Sequence, residues 1–178
     1  QAKILEDKYG LKQLSTGDML RAERAAGSDL GKRVQAIMDA GNLVSDDIMI
    51  EMIANRTAVA DCAKGVIFDG FPRTVPQAEA LDKMLAARGQ SIALVLDLVV
   101  DEKILTDRVE KRAAEAAATG QPVRKDDTAE VVLRRIREYK TYTAEVSPYY
   151  TAKGLLHRID GMQPIDAVAA QIASYLNA

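Results

Sequence analysis

Three short segments bring together residue types suited to binding anions and moving charged groups. Gly65 to Arg73 reads GVIFDGFPR, an apolar run closed by a carboxylate, a glycine, a proline and an arginine. A carboxylate ending a buried strand stands where open parallel sheets bind their ligands. Such a group commonly orients the hydrated Mg2+ of a nucleotide. Gly70 lets a backbone approach a ligand closely, and Pro72 stiffens the turn that aims Arg73 over the site. The same letters also describe an ordinary Asp–Gly turn followed by a surface arginine.

The second segment is Ser15 to Arg21, STGDMLR. A hydroxyl pair, a glycine and a helix start expose unpaired N–H groups at the positive end of a helix dipole, a natural anion cradle. Arg21 lies one turn further on, where its planar fork can grip a phosphate. A plain Ser/Thr cap with an exposed arginine fits the segment equally. The third constellation is basic. Arg108 and Arg112 are four apart and share a helix face, Arg124 precedes Lys125–Asp126–Asp127, and Arg135 falls in the next helix. Solvated arginines are common, but phosphoryl transfer asks a protein mainly for positioning and positive charge around the moving group.

Other chemistries have little to work with. His157 and Cys62 are each the single residue of their type, which excludes a histidine cluster, a Ser–His–Asp triad, an internal disulfide and a multi-cysteine zinc site. Cys62 reads as a small buried side chain. The net charge is −2, with acidic and basic residues interspersed, so no nucleic-acid partner is expected. No apolar run approaches the roughly 20 residues that span a bilayer, and Gln1 to Tyr9 does not read as a signal peptide, so no membrane partner is expected. A reducing, cytoplasmic setting fits.

The elements that must position these groups alternate between strand and helix, which predicts an α/β domain with a parallel sheet. At 178 residues and 48% hydrophobic content, one domain with a sizeable core is expected. Val66–Asp69 reads as a short strand, Ser91–Val100 as a buried one, Leu155–Ile159 as an edge or penultimate one, and Leu11–Leu14 as a weak one. A helix ends at Tyr9, having begun at or before residue 1. Leu30, Val34, Ile37 and Met38 recur at helical spacing, with Gly41 as a stop. Ser45 is placed to cap a helix carrying Ile48, Met49, Met52 and Ile53. Thr74–Val75–Pro76 opens a helix ending at Gly89, and Asp127–Thr128–Ala129–Glu130 has capping-box spacing for one reaching Tyr142. Pro164 starts the last. Ala113 to Lys125, with Gly120 and Pro122, reads as a loop or short flap.

Read in order and spacing, these segments resemble the adenylate kinase family over essentially the whole chain. STGDMLR at 15–21 is similar to the family's AMP-site helix, and DGFPRT at 69–74 with Gln77 to its most recognisable motif. Asp107–Arg108, Arg112, Arg124–Lys125–Asp126–Asp127 and Arg135 resemble its lid arginines and the helix behind them. The resemblance implies a P-loop NTPase-like parallel sheet flanked by helices, an AMP-binding helical subdomain at 15–58 and a short lid near 113–125. It implies reversible transfer from Mg·ATP to AMP, giving two ADP. AMP would be held by Thr16, Gly17, Arg21, Val44, Gly70, Arg73 and Gln77, with its phosphate at Arg21 and Arg73 and its adenine near Gln77 and Thr16. Arg108, Arg112, Arg124 and Arg135 would surround the polyphosphate, with Arg108 and Arg112 on ATP. Asp69 and Asp18 would orient Mg2+ through water, and Asp126 would latch the lid against Arg112 or its neighbours. Without the four cysteines of long-lid relatives, no zinc is expected, and a monomer is.

The sequence departs from that pattern in two places. The lid is alanine-rich. The family's opening strand and glycine-rich Walker loop are absent from these residues, and Gln1–Ala2 resembles the residues just after that loop, so about fifteen residues are expected ahead of it. That strand is central in the family's sheet, so without it the neighbouring strands would lack a partner and a slot would stay open. Two further readings remain. One is a UMP/CMP kinase, whose members tend to carry alanine at the position of Thr16 and asparagine at that of Thr74. The other is an AMP-binding module without catalysis.

Overall fold

Gly10 takes the left-handed conformation (φ 68°) that only glycine adopts freely, and its N–H closes the first helix on the Glu6 carbonyl. This helix, α1 (Ala2–Tyr9), leads straight into a four-residue strand, β1 (Lys12–Ser15). A computed structural model describes residues 1–40, 42–120 and 128–177. After β1 come three helices, α2 (Thr16–Ala25), α3 (Asp29–Asp39) and α4 (Asp46–Thr57), and then β2 (Val66–Asp69). The alternation continues through α5 (Val75–Ala86), β3 (Val95–Val99), α6 (Lys103–Ala118), α7 (Ala129–Thr141), α8 (Val146–Ala152), β4 (Leu156–Asp160) and α9 (Ile165–Leu176).

The strands pair in parallel, as expected for an α/β domain, but in two separate pairs. β1 pairs β2 with Ser15 opposite Asp69, and β3 pairs β4 with Val99 opposite Asp160. Among the described residues β2 and β3 do not pair with each other. Between them lies a cavity of about 900 Å3, walled by Val66, Ile67 and Phe68 on one side and Leu94, Val95 and Leu96 on the other. The Tyr150 side chain, 1% exposed, also lines it, and its hydroxyl has no hydrogen-bond partner among the described residues.

Three apolar clusters hold the elements together. The largest joins α2 through α5 by Leu20, Val34, Met38, Met49, Ile53 and Leu81. A second seats α1 and α9 on β4 through Leu5, Ile159, Val168 and Ile172, and a third joins α5 to α8 through Ala78, Val146 and Tyr150. α2 and α3 touch backbone to backbone. A methyl added at Gly31 would stand 2.2 Å from the Glu23 carbonyl oxygen, so only glycine fits there.

Several local expectations shift. The strand expected over Ser91–Val100 is ordered as a strand only at Val95–Val99, and it is not buried throughout: Leu98 is 42% and Val99 50% exposed. The open cavity on its flank accounts for the half-exposed apolar positions at its start. The stretch expected as a loop from Ala113 is helical to Ala118, because alanine is the strongest helix former and no breaker comes before Gly120. Ser45 precedes α4, yet its side chain makes no capping hydrogen bond. The cap of α7 is Thr128, whose hydroxyl accepts the Val131 N–H, one residue after the expected Asp127. Gly41 and Asp127 lie outside the described residues.

Candidate active site

The register of the first strand pair builds the site. With Ser15 opposite Asp69, the two polar segments STG and DGFPR emerge side by side at the C-terminal ends of β1 and β2. The Thr16 hydroxyl, 2% exposed, donates to the Gly70 carbonyl at 3.0 Å and ties the start of α2 to the turn after β2. Ser15 caps α2 by accepting the Asp18 N–H at 3.3 Å.

A cavity of about 430 Å3 opens at this junction. Every residue expected to hold AMP lines it: Thr16, Gly17, Arg21, Val44, Gly70, Arg73 and Gln77. So do Asp18, Asp69, Arg112 and Arg135. Leu20, Met38 and Met49 add an apolar wall to that of Val44. Polar and cationic groups thus face an apolar surface across a space that suits a phosphorylated heterocycle.

Both glycines here make room for an arginine. A methyl at Gly17 would press on the Arg21 guanidinium at 3.2 Å. Gly70 has φ 73°, and a methyl there would meet Arg73 Nη2 at 2.9 Å and Thr16 Oγ1 at 3.1 Å. Arg73 Nε donates to the Gly70 carbonyl at 2.8 Å, and its own carbonyl accepts the Thr143 hydroxyl at 2.9 Å, so the arginine is held from both sides. The intervening Phe71–Pro72 peptide is cis. Burial pushes the Arg73 pKa down; Arg135 and Arg21 push the same way, and Asp69 opposes them. Such a concentration of guanidinium groups is stabilised by a phosphate dianion placed among them.

Asp69 stands at the end of β2, where its Oδ2 accepts the Gln13 amide at 2.7 Å. Asp18 accepts from Arg21 one turn along α2. Among the described residues no group of three or more His, Cys, Asp or Glu could hold a metal ion by itself. Two separate carboxylates bordering this cavity do fit Mg2+, which keeps several waters and takes the rest of its shell from substrate phosphates.

Arg108 is not part of this lining. Its guanidinium donates to the Gly161 carbonyl at 3.2 Å, at the turn after β4. Arg124 and Asp126 lie outside the described residues, as does the part of the expected lid beyond Gly120. Two residues of the site carry no motif. Gln13 holds Asp69 from the neighbouring strand, and Asp46 at the start of α4 accepts from both Thr74 and Gln77. Neither has a distinguishing sequence signal: Gln13 sits in the mostly polar strand Lys12–Ser15, and Asp46 is one of two aspartates at a helix start.

Comparison with known proteins gives the same outline. The family model described as adenylate kinase matches residues 1–155. A protein of Mesorhizobium japonicum named adenylate kinase is 53% identical over 178 residues, 100% of this chain and 90% of the relative. Proteins of the same name from Methylobacterium radiotolerans and Azorhizobium caulinodans are 51% and 53% identical over 176 residues. Those alignments cover 99% of this chain and 88% and 91% of the relatives.

Proposed function

From membership of the adenylate kinase family, to which this chain belongs, we infer that it catalyses reversible phosphoryl transfer from Mg·ATP to AMP, giving two ADP. The observation that carries the reading is the convergence of Arg21, Arg73, Arg112 and Arg135 on one cavity beside Asp69.

In this reading Arg21 and Arg73 grip the AMP phosphate, each laid over a glycine that leaves it room. The adenine lies along Leu20, Met38, Val44 and Met49, with the Gln77 amide at its edge. An oxygen of the AMP phosphate attacks the γ-phosphorus of ATP in line. The bond to the β–γ bridging oxygen breaks, and that oxygen leaves with its electron pair on ADP, without a covalent enzyme intermediate. Arg112 and Arg135, with Arg108 and Arg124, stabilise the charge that spreads over the equatorial oxygens. Asp69 and Asp18 would hold Mg2+ through its waters, and when bound the ion would neutralise charge on the phosphates. Closure of the 15–58 subdomain and of a short lid near 113–125, latched by Asp126, excludes the water that would otherwise take the phosphoryl group.

The 178 residues contain no G-x-x-x-x-G-K-S/T loop. The apolar slot between β2 and β3 supports one further strand there, followed by the loop that cradles the ATP phosphates. A backbone carbonyl of that strand would also give the Tyr150 hydroxyl an acceptor. The same slot favours a second reading for residues 1–178 taken alone, AMP binding without transfer. A monomer in a reducing cytoplasm, with no zinc and no nucleic-acid partner, completes the proposal; among the described residues no helix is long and apolar enough to cross a membrane.

Arg73→Ala in the complete protein tests the assignment. Turnover of AMP with ATP should fall by about a hundredfold or more, while the circular-dichroism melt stays near wild type. Near-normal rates in that variant sink the assignment. In the same assay AMP should outpace UMP and CMP, since Thr16 and Thr74 favour AMP; faster CMP or UMP turnover moves the reading to a UMP/CMP kinase.

A further inference from the structure

The Gln77 side chain is 2% exposed and lines the smaller cavity. Its amide is held at both ends. Oε1 accepts the Arg73 backbone N–H at 2.7 Å, and Nε2 donates to Asp46 Oδ1 at 2.8 Å. A primary amide is nearly symmetric in shape, so which end carries the donors is decided by its neighbours. Here one neighbour can only donate and the other, a carboxylate, can only accept. The reversed amide would set N–H against N–H and carbonyl against carboxylate.

Asp46 is itself oriented. The Thr74 hydroxyl, which accepts the Gln77 N–H at 3.2 Å, donates to the Asp46 carboxylate at 3.1 Å. The network therefore joins the first residue of α4 to the cap of α5 and fixes the amide between them. Asp46 does not line the cavity, and it meets the site through Gln77 and through the Thr74 cap.

Each end of the amide keeps one hydrogen-bonding position beyond these contacts, one N–H and one lone pair. A fixed amide presents that donor and acceptor in one order. A 6-aminopurine offers a donor at position 6 and an acceptor at N1, whereas a 6-oxopurine offers the reverse. We propose that Asp46 is the positioning residue that, together with the Arg73 backbone N–H, locks the Gln77 amide in a single orientation and so makes this site select a 6-aminopurine monophosphate over a 6-oxopurine one. This rests on the reading above that AMP occupies the cavity with its base against Gln77.

The test uses Asp46→Asn, which keeps the shape while allowing the side chain to donate as well as accept. Steady-state kinetics with AMP and with inosine monophosphate as alternative acceptors are run on the complete protein, wild type and variant. The preference for AMP, as a ratio of kcat/KM values, should fall by about tenfold, with most of the change in KM for the monophosphate and none in KM for ATP. In a Gln77→Leu background the same substitution should leave the ratio unmoved, because the residue it acts through is gone. The ratio does not depend on the fraction of folded enzyme, so a loss of stability cannot mimic the effect. An unchanged ratio in Asp46→Asn, or an equal fall in both backgrounds, overturns the proposal. Failure of the wild type to use AMP at all would overturn the functional reading instead.

Discussion

At the scale of single residues, the site depends on two glycines as much as on its arginines. Gly70 carries two constraints at once, a backbone conformation that L side chains rarely adopt and a neighbouring guanidinium with no space for a methyl. Gly70→Ala should lower stability by about 1–2 kcal/mol in a urea melt and raise KM for AMP through the displaced Arg73. A variant with wild-type KM would mean that Arg73 can move without loss. Gly70 and Arg73 were legible in the sequence because DGFPR is contiguous and its roles are local. Asp46 and Gln13 were not, because their partners lie 31 and 56 residues away and only the folded chain brings them together.

At the scale of elements, Glu6 of α1 pairs both with Lys3 on its own helix and with Lys12 at the start of β1. The Lys3 ammonium first, then Lys12, with a lesser part from the Gln13 N–H, holds the Glu6 carboxyl at about 2 against an ordinary 4.5. A carboxylate whose pKa is lowered in the folded state adds stability above its unfolded pKa, and that stability is lost as pH falls towards the folded one. Between about pH 4.5 and 2, therefore, the wild type should lose stability more steeply than Glu6→Gln, as followed by denaturant melts at each pH. Parallel curves for the two proteins would show that the contact adds nothing. The limits of the elements were legible where a breaker marks them, as for β2, read over Val66–Asp69 and found there. They were not where the decision is energetic. Alanine propensity carries α6 to Ala118 through a stretch that Gly120 and Pro122 had marked as loop. The cap of α7 settles on Thr128, whose hydroxyl reaches the Val131 N–H at 3.3 Å.

At the scale of the whole molecule, the two strand pairs and the slot between them matter most. The Arg73 and Arg135 side chains line both the slot and the smaller cavity, so the two spaces share a wall of positive charge. Occupation of the slot by a strand and its loop would bring ATP phosphates to that wall from the side opposite AMP. A chain of residues 1–178 titrated with AMP in a calorimeter should release heat yet show no turnover with ATP, whereas a chain carrying the additional strand and loop should do both. Turnover by the shorter chain would show that the slot is not needed for transfer. The α/β class and the parallel pairing could be read from the alternation of elements. Unpaired neighbouring strands with a slot between them were expected only through the family resemblance, because local pattern does not record which edges face each other.

The backbone contact at Gly31 bears on movement as well as packing. At that point α2 and α3 meet without a side chain between them, so sliding one over the other there would drive backbone into backbone. A displacement of the start of α2 is therefore expected to carry α3 with it, the two helices moving as one body. Any bending is then expected where the pair joins the rest of the chain, beside β1 and ahead of α4.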